Sequence, residues 1–285
     1  MSISIQTNVS SLAAQENLRV NNDFSNQTIQ RLTSGFRINA SGDDAAGLVI
    51  ANTFRSREAE ITQGVRNAND GLSTLQIVDG GLNNISKILD RLKTLATESA
   101  TTTLVGGDAT RASLQSEFST LLGEIDRQAG NVGLGAGVSG TAATALYKTT
   151  LNVYIGGGSD QTASIVSVDL GSHGVDTGAT SLNLTGQTVA SSAGALTALT
   201  TIDTALGKLG DAQGAVGAGQ NDLQYAIKLG QSQIANFSAA ESRIRDADVA
   251  AEAANLTKAQ VLQQASMAAM AQANSAPQAV LALLK

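Results

Sequence analysis

The stretch IDTALGKLGDAQGAVGAGQNDLQYAIKLGQSQIANFSAAESRI, Ile202–Ile244, decides the fold. Stepping alternately four and three residues from Ile202 gives Leu206, Leu209, Gln213, Val216, Gln220, Leu223, Ile227, Gly230, Ile234, Phe237, Glu241 and Ile244. Nine of these thirteen positions are apolar. A 3.5-residue repeat sustained over six heptads is the pattern of a coiled-coil seam. As a straight helix it would span about 63 Å at 1.5 Å per residue. Gly214, Gly217 and Gly219 oppose it, each costing about 1 kcal/mol relative to Ala in a helix. Either the seam outweighs them or small residues there admit a close neighbour.

Working outward, the N-terminal half carries a matching stripe. Ala51, Phe54, Glu58, Ile61, Val65, Ala68, Leu72 and Leu75 keep the alternation. A stammer then shifts the register, and Val78, Leu82, Ile85, Leu89, Leu92 and Ala96 continue it. This second helix would be about 68 Å long. Two seams of similar length at opposite ends of the chain imply antiparallel partners. Ser41, Asp43 and Asp44 fit the start of the N-terminal helix, Ser41 as cap and the carboxylates at the positive end of the dipole. A shorter helix follows, with Leu114, Phe118, Leu121 and Ile125 on one face.

The outermost segments are helical too. Asn8 to Ser34 carries Leu12, Leu18, Phe24, Ile29 and Leu32; Val249 to Ala273 carries Leu256, Val261, Leu262, Met267 and Met270. These apolar faces are thin, and neither segment buries enough alone to offset its ordering entropy. Pro277, the single proline, is placed to end the last helix. Residues 131–201 differ sharply: only Lys148, Asp160, Asp169 and Asp176 are charged among 71 residues. There Leu151–Ile155 and Ile165–Leu170 read as a β-hairpin, and Ser181–Leu184 as a possible further strand. The expected class is mainly α: a long antiparallel coiled-coil rod with a small β-hairpin-containing middle. Five segments follow: 1–44, 45–130, 131–197, 198–245 and 246–285.

Composition narrows the function. The 285 residues include 45 alanines, 29 glycines, eight aromatics, one histidine and no cysteine. Without cysteine there is no disulfide, thiolate zinc site, iron–sulfur cluster or thiol nucleophile. One histidine excludes the HExxH zinc motif. A net charge of −6 argues against nucleic-acid binding. No window approaches the roughly 20 apolar residues of a membrane span. The opening MSISIQTNVSS lacks the basic and apolar regions of a secretory signal.

The remaining motifs favour structural explanations. Gly135–Gly140 matches GxGxxG, but a helix precedes it where a dinucleotide site needs a strand. His173 lies in a short Gly-flanked turn without an evident orienting partner. The Asp43–Asp44 pair is accounted for by capping. Thr101–Thr103 and Ser191–Ser192 fit solvated loops better than modification sites. No catalytic, cofactor or metal residue is assigned.

At both ends the chain resembles bacterial flagellin. Arg31–Asn39 running into Asp43–Leu48 resembles the family's RLSSGxRINxAxDDAAG stretch, Arg66–Gly71 its RNANDG motif, and Glu124–Arg127 its NEIDR segment. Ser242–Asp248, Gln260–Ala265, Ala271–Asn274 and Pro277–Leu284 resemble the C-terminal motifs. Asp222 departs from the pattern, standing where the family usually has a base. The middle is short compared with members carrying large outer domains.

The resemblance implies a subunit of the extracellular flagellar filament that polymerises with copies of itself, with a hook–filament junction protein as the alternative. It implies export in unfolded form through the flagellum's own apparatus, so the missing signal need not mean the cytoplasm. It implies contact with filament cap and hook-associated proteins, an export chaperone and host Toll-like receptor 5. Paired terminal helices would form the polymerisation surface, through Leu12, Leu18, Phe24, Ile29, Leu32, Leu256, Leu262, Met267, Met270, Leu281 and Leu284. Receptor recognition would involve Arg91, Leu95 and Glu124, with Thr94 where relatives commonly have Glu.

Overall fold

The computed structural model describes residues 7–102, 107–135, 150–156, 165–170, 172–178 and 181–283, with backbone alone from 276. The described elements run α1 (Val9–Ser34), α2 (Ala45–Ala100), α3 (Gly107–Asn131), β1 (Leu151–Tyr154), β2 (Ile165–Val168), α4 (Ser192–Arg245) and α5 (Val249–Leu283). The chain divides into two compact units: residues 57–234, and residues 1–56 with 235–285. The divisions fall within α2 and α4, inside the expected 44/45 and 245/246 boundaries.

In the unit of residues 57–234, α2 and α4 run antiparallel. Lys93 Nζ lies 2.6 Å from Asp203 Oδ1, Gly219 backs onto Leu75, and Gly230 onto Val65 and Ile61. From Ile61 onward the buried positions of α2 are Ile61, Gly64, Ala68, Gly71, Leu75, Val78, Leu82, Ile85, Leu89, Leu92, Ala96 and Ser99, apart from Gly81 and Leu95 beside the stripe. Three and four alternate along that series without a break, so the expected stammer is absent. It arose from choosing the larger Val65 and Leu72, which are half-buried, over Gly64 and Gly71, which occupy the seam. On α4 the seam is Ala195, Ala198, Ile202, Ala205, Leu209, Ala212, Val216, Gly219, Leu223 and Gly230. Leu206, Gln213, Gln220 and Ile227 flank it half-buried. From Ala198 onward α4 alternates small and large residues, whereas α2 groups its small positions at Gly64, Ala68 and Gly71, ahead of a run of large ones from Leu75 to Leu92. Phe118, Ile125 and Ala129 of α3 complete the same core.

The small positions exist because something sits on them. β1 and β2 pair antiparallel, Leu151 opposite Val168 and Tyr154 opposite Ile165. A two-stranded sheet is marginal alone and needs a packing surface. A Cβ on Gly71 would lie 2.8 Å from Val153 Cγ2, one on Gly219 2.5 Å from Val168 Cγ2, and one on Gly64 2.0 Å from the Ile155 carbonyl oxygen. The hairpin therefore rests on helix backbone. Tyr154 Oη donates to Glu60 Oε1 at 2.7 Å, and Asn67 Nδ2 to the Tyr154 carbonyl at 3.0 Å. Of the expected close approaches on α4, Gly219 makes one, while Gly214 and Gly217 face open space.

Ser181–Leu184 forms a compact turn and no strand. Asn183 adopts φ 58°, and the amides of Leu182, Asn183 and Leu184 bond back to the carbonyls of Asp176, Gly178 and Thr177. Leu182 and Leu184 alternate into the core as a strand's residues would, which explains the misleading pattern.

The unit of residues 1–56 and 235–285 pairs α1 with α5. Asn8 caps α1 by accepting from the Ser11 amide at 3.1 Å, and Gly35 ends it at φ 74°. Asp44, and not Ser41, caps α2, accepting from the Gly47 amide at 2.8 Å. Asp43 holds the preceding turn through the amides of Asn39 and Ala40, each at 3.0 Å. These bonds, with one from Gln27, keep its carboxyl below the usual range. Pro277 does not end the last helix: α5 continues to Leu283. An internal proline costs a helix about 3 kcal/mol, partly by depriving the carbonyl four residues earlier of its donor. That carbonyl belongs to Ala273, and Asn8 Nδ2 donates to it at 2.7 Å.

Two substitutions separate docking glycines from mere helix breakers. Gly64→Ala should lower the stability of residues 57–234 by about 1–3 kcal/mol, the usual cost of overpacking, because the atom in the way is backbone. Gly80→Ala, with nothing within 4 Å, should raise it by about 0.5–1 kcal/mol. Chemical denaturation measures both.

Candidate functional site

Charge-bearing chemistry is sparse. His173 Nδ1 lies 3.1 Å from Ser172 Oγ, which is 2.8 Å from Asp169 Oδ2, all at the exposed surface. That is a turn held by its own side chains. Gly135 bonds back to the Ala129 carbonyl as the chain leaves α3; residues 136–140 of the GxGxxG match, and Asp160, lie outside the described residues. Ser191 Oγ accepts from the Gly194 amide and Ser192 Oγ donates to the Ala100 carbonyl, so both serve helix ends. Thr101 and Thr102 are exposed, and Thr103 lies outside the described residues. Among the described residues no group of three His, Cys, Asp or Glu could hold a metal, and no helix is long and apolar enough to cross a membrane.

The α1–α5 pair carries the distinctive surface. Hydrogen bonds and an ion pair link the two helices. Ser11 Oγ donates to Asn274 Oδ1 at 2.7 Å, Asn21 Nδ2 to Ser266 Oγ at 2.9 Å, and Gln263 Nε2 to Asn22 Oδ1 at 2.8 Å. Arg31 and Glu252 form an ion pair at 3.4 Å. Among the described side chains of these helices, those buried are Ala14, Thr28, Glu252 and Ala259. Larger apolar side chains face away: Leu12 is 56% exposed and Met267 46%, and Ile29 and Leu262 are exposed with them. Leu18, Phe24, Leu32, Leu256 and Met270 are half-buried. The side chain of Leu281, and all of Leu284, lie outside the described residues. Sequence reasoning passed over Val9, Val20 and Val249, which are also exposed. Their spacing falls off the Leu/Ile/Phe stripe, and outward residues were the signal to seek.

Where α1 meets α2, a strap links the two ends of the chain. Arg37 donates its amide to the Arg245 carbonyl at 2.6 Å, and Ala247 its amide to Gly35 at 2.9 Å. Arg245 stacks its guanidinium 4.2 Å from the Phe36 ring centroid, a cation–π contact. Phe54 stacks on Phe237 with centroids 5.7 Å apart. Of the long-helix residues named from sequence, Ile61, Leu82, Leu89, Ile202, Leu209 and Leu223 are buried; Val65, Leu72, Leu206, Ile227, Ile234 and Ile244 are half-buried.

Of the three residues expected to contact the receptor, Leu95 is enclosed and Arg91 and Glu124 are engaged by neighbours. Leu95 is 1% exposed and belongs to the core beside the seam. Arg91 is exposed and donates twice to Glu117 Oε1, at 2.9 and 2.6 Å, a partner the sequence did not single out. Glu124 is engaged by Arg127 and Gln128.

Comparison with known proteins gives consistent matches. Residues 5–133 match the bacterial flagellin N-terminal helical region, and residues 199–284 the bacterial flagellin C-terminal helical region. The flagellin of Halalkalibacterium halodurans is 34% identical over 287 residues, covering 99% of each chain. A 30.7 kDa flagellar filament core protein of Treponema maltophilum is 35% identical over 291 residues, covering 98% of this chain and 99% of that one. Bacillus subtilis flagellin is 32% identical over 302 residues, covering 99% of each. Among solved structures, the crystal structure of Bacillus cereus flagellin is similar at 27% identity and TM-score 0.46, covering 62% of this chain and 94% of that one.

Hydrogen bonds from Arg127 and then Gln128 hold the Glu124 carboxyl at about 2. Its folded value lies below its unfolded one, so the pair's contribution is present above the ordinary carboxylate range and is lost as pH falls toward 2. A carboxylate NMR titration should show Glu124 charged well below pH 4, and Arg127→Ala should return it towards the ordinary range.

Proposed function

The chain belongs to the bacterial flagellin family and is a self-assembling structural subunit of the flagellar filament; from that premise we propose that α1 and α5 form the surface through which copies join. The observation that carries this is the apolar surface the pair leaves uncovered, with Leu12, Val20, Ile29, Val261 and Met267 all exposed. Burying an exposed Val or Leu side chain is worth about 1.5–3 kcal/mol, and neighbouring copies supply the cover. The two helices are then poorly ordered in the dilute subunit and fold on assembly, their stability tied to concentration. The subunit leaves the cell unfolded through the flagellum's own export apparatus, escorted by an export chaperone. It then adds beneath the filament cap, in a polymer rooted on hook-associated proteins and lying outside the cell. Recognition by Toll-like receptor 5 falls to Arg91 and Glu124, since Leu95 is enclosed.

Amide exchange on subunit and filament tests the assembly reading. Residues 9–34 and 249–275 should exchange freely in the dilute subunit and be protected in the filament; strong protection in the subunit would overturn it. Val20→Asp or Met267→Asp should raise the critical concentration for seeded growth at least about tenfold, the equivalent of about 1.4 kcal/mol, while leaving the melting of residues 57–234 unchanged. In a receptor reporter-cell assay, Arg91→Ala and Glu124→Ala should each reduce the response; an unchanged response removes that assignment.

A further inference from the structure

We propose that Asn8 and Pro277 form a latch that fixes the register of α1 against α5. The proposal deepens the assembly reading above and shares its premise that these helices pair.

Register between two helices is ordinarily set by interlocking large side chains. This pair has little of that: among its described side chains those buried are Ala14, Thr28, Glu252 and Ala259, and its large apolar Leu18, Phe24, Leu32, Leu256 and Met270 are only half-buried. Apolar packing would therefore distinguish weakly between registers displaced by a helical turn. The polar contacts do distinguish them. Asn8 with Ala273, Ser11 with Asn274, Asn21 with Ser266, Asn22 with Gln263 and Arg31 with Glu252 all belong to one antiparallel alignment. Four of these are side chain to side chain and can re-form with other polar neighbours of an Asn-, Gln- and Ser-rich face.

The contact of Asn8 is different, because it goes to backbone. Every interior carbonyl of a helix is ordinarily satisfied by the amide four residues on. Pro277 has no amide hydrogen, so the Ala273 carbonyl is the one position on this stretch of α5 made available to an outside donor by covalent structure. Asn8 Nδ2 reaches it at 2.7 Å while its Oδ1 accepts the Ser11 amide at 3.1 Å. One side chain thus caps α1 and supplies the donor that α5 lacks. Sliding by a turn would carry Asn8 to a carbonyl already engaged in the helix and leave Ala273 unserved. The proline, expected from sequence to stop the helix, serves as a marker along it.

The absence of native cysteine makes the register directly readable. Asn21→Cys with Ser266→Cys places two thiols at side chains that touch, and oxidised glutathione closes them within one chain. The reaction is run in seeded filaments, and the intrachain product is counted after depolymerisation. Asn8→Asp keeps the capping oxygen and removes the donor. It should slow the 21–266 link at least fivefold when residue 277 is Pro, and less than twofold in the Pro277→Ala chain, where Ala273 regains its own partner. An equal effect in both backgrounds makes Asn8 a cap alone and overturns the latch; no effect in either does the same. Filaments that grow normally yet never form the link overturn the latch without touching the assembly reading. Subunits with exchange-protected terminal helices overturn the assembly reading while the coupling between Asn8 and Pro277 still decides the latch.

Discussion

The structure of residues 57–234 depends on close approach of the hairpin to helix backbone. Gly64 admits the Ile155 carbonyl, Gly71 admits Val153 and Gly219 admits Val168, each at distances where a methyl group would collide. Glycine inside a helix is locally unfavourable by about 1 kcal/mol, so its recurrence on both partners of the seam needs a compensating contact. The hairpin provides it. Two short strands could not hold themselves together in water, and two helices with gaps in their seam would leave uncovered backbone. Each defect is the other's remedy.

The same logic of incomplete parts governs α1 and α5, with the chemistry reversed. There amides, hydroxyls and one ion pair join helices that fully bury only small apolar residues, Ala14 and Ala259, among the described side chains, and the outer faces carry Leu12, Val20, Ile29, Val261 and Met267. Hydrogen bonds are directional and contribute only about 0.5–1.5 kcal/mol each net of water. They suit the setting of alignment better than the supply of stability. Ordering a residue costs roughly 1–2 kcal/mol of backbone entropy alone, and over two helices of this length only added apolar burial can meet it. A filament made of such subunits draws stability from the contact between copies.

The heptad period was plain in Ile202–Ile244 and the antiparallel pairing followed from it, as did the hairpin from its alternating strands. What sequence misassigned was the inner edge of the seam. Hydrophobicity ranks Val65 above Gly64 and Leu206 above Ala205, whereas burial ranks them the other way. A residue with no side chain leaves no trace on a hydrophobic scale, and the partners that make Gly64 and Gly71 necessary, Ile155 and Val153, lie more than eighty residues away in the chain. Leu182 and Leu184 misled for a related reason: alternation reports which side chains point inward and is silent on whether the backbone is paired. The surface of α1 was legible as a thin apolar stripe, but which way the stripe faced depended on α5.

Pro277 shows how a rule about one chain segment yields to tertiary context. Its effect on a helix is usually counted as a loss: one hydrogen bond removed and one carbonyl crowded. The loss is borne by an acceptor, and an acceptor with two lone pairs can be served from outside the helix. Asn8 is suited to this because its amide offers donor and acceptor a short distance apart, and its place at the N-cap already commits the acceptor. The helix therefore continues to Leu283. A single proline among 285 residues thus ties the first helix to the last, and the composition that looked like a chain without interruptions contains one interruption, used as a point of attachment.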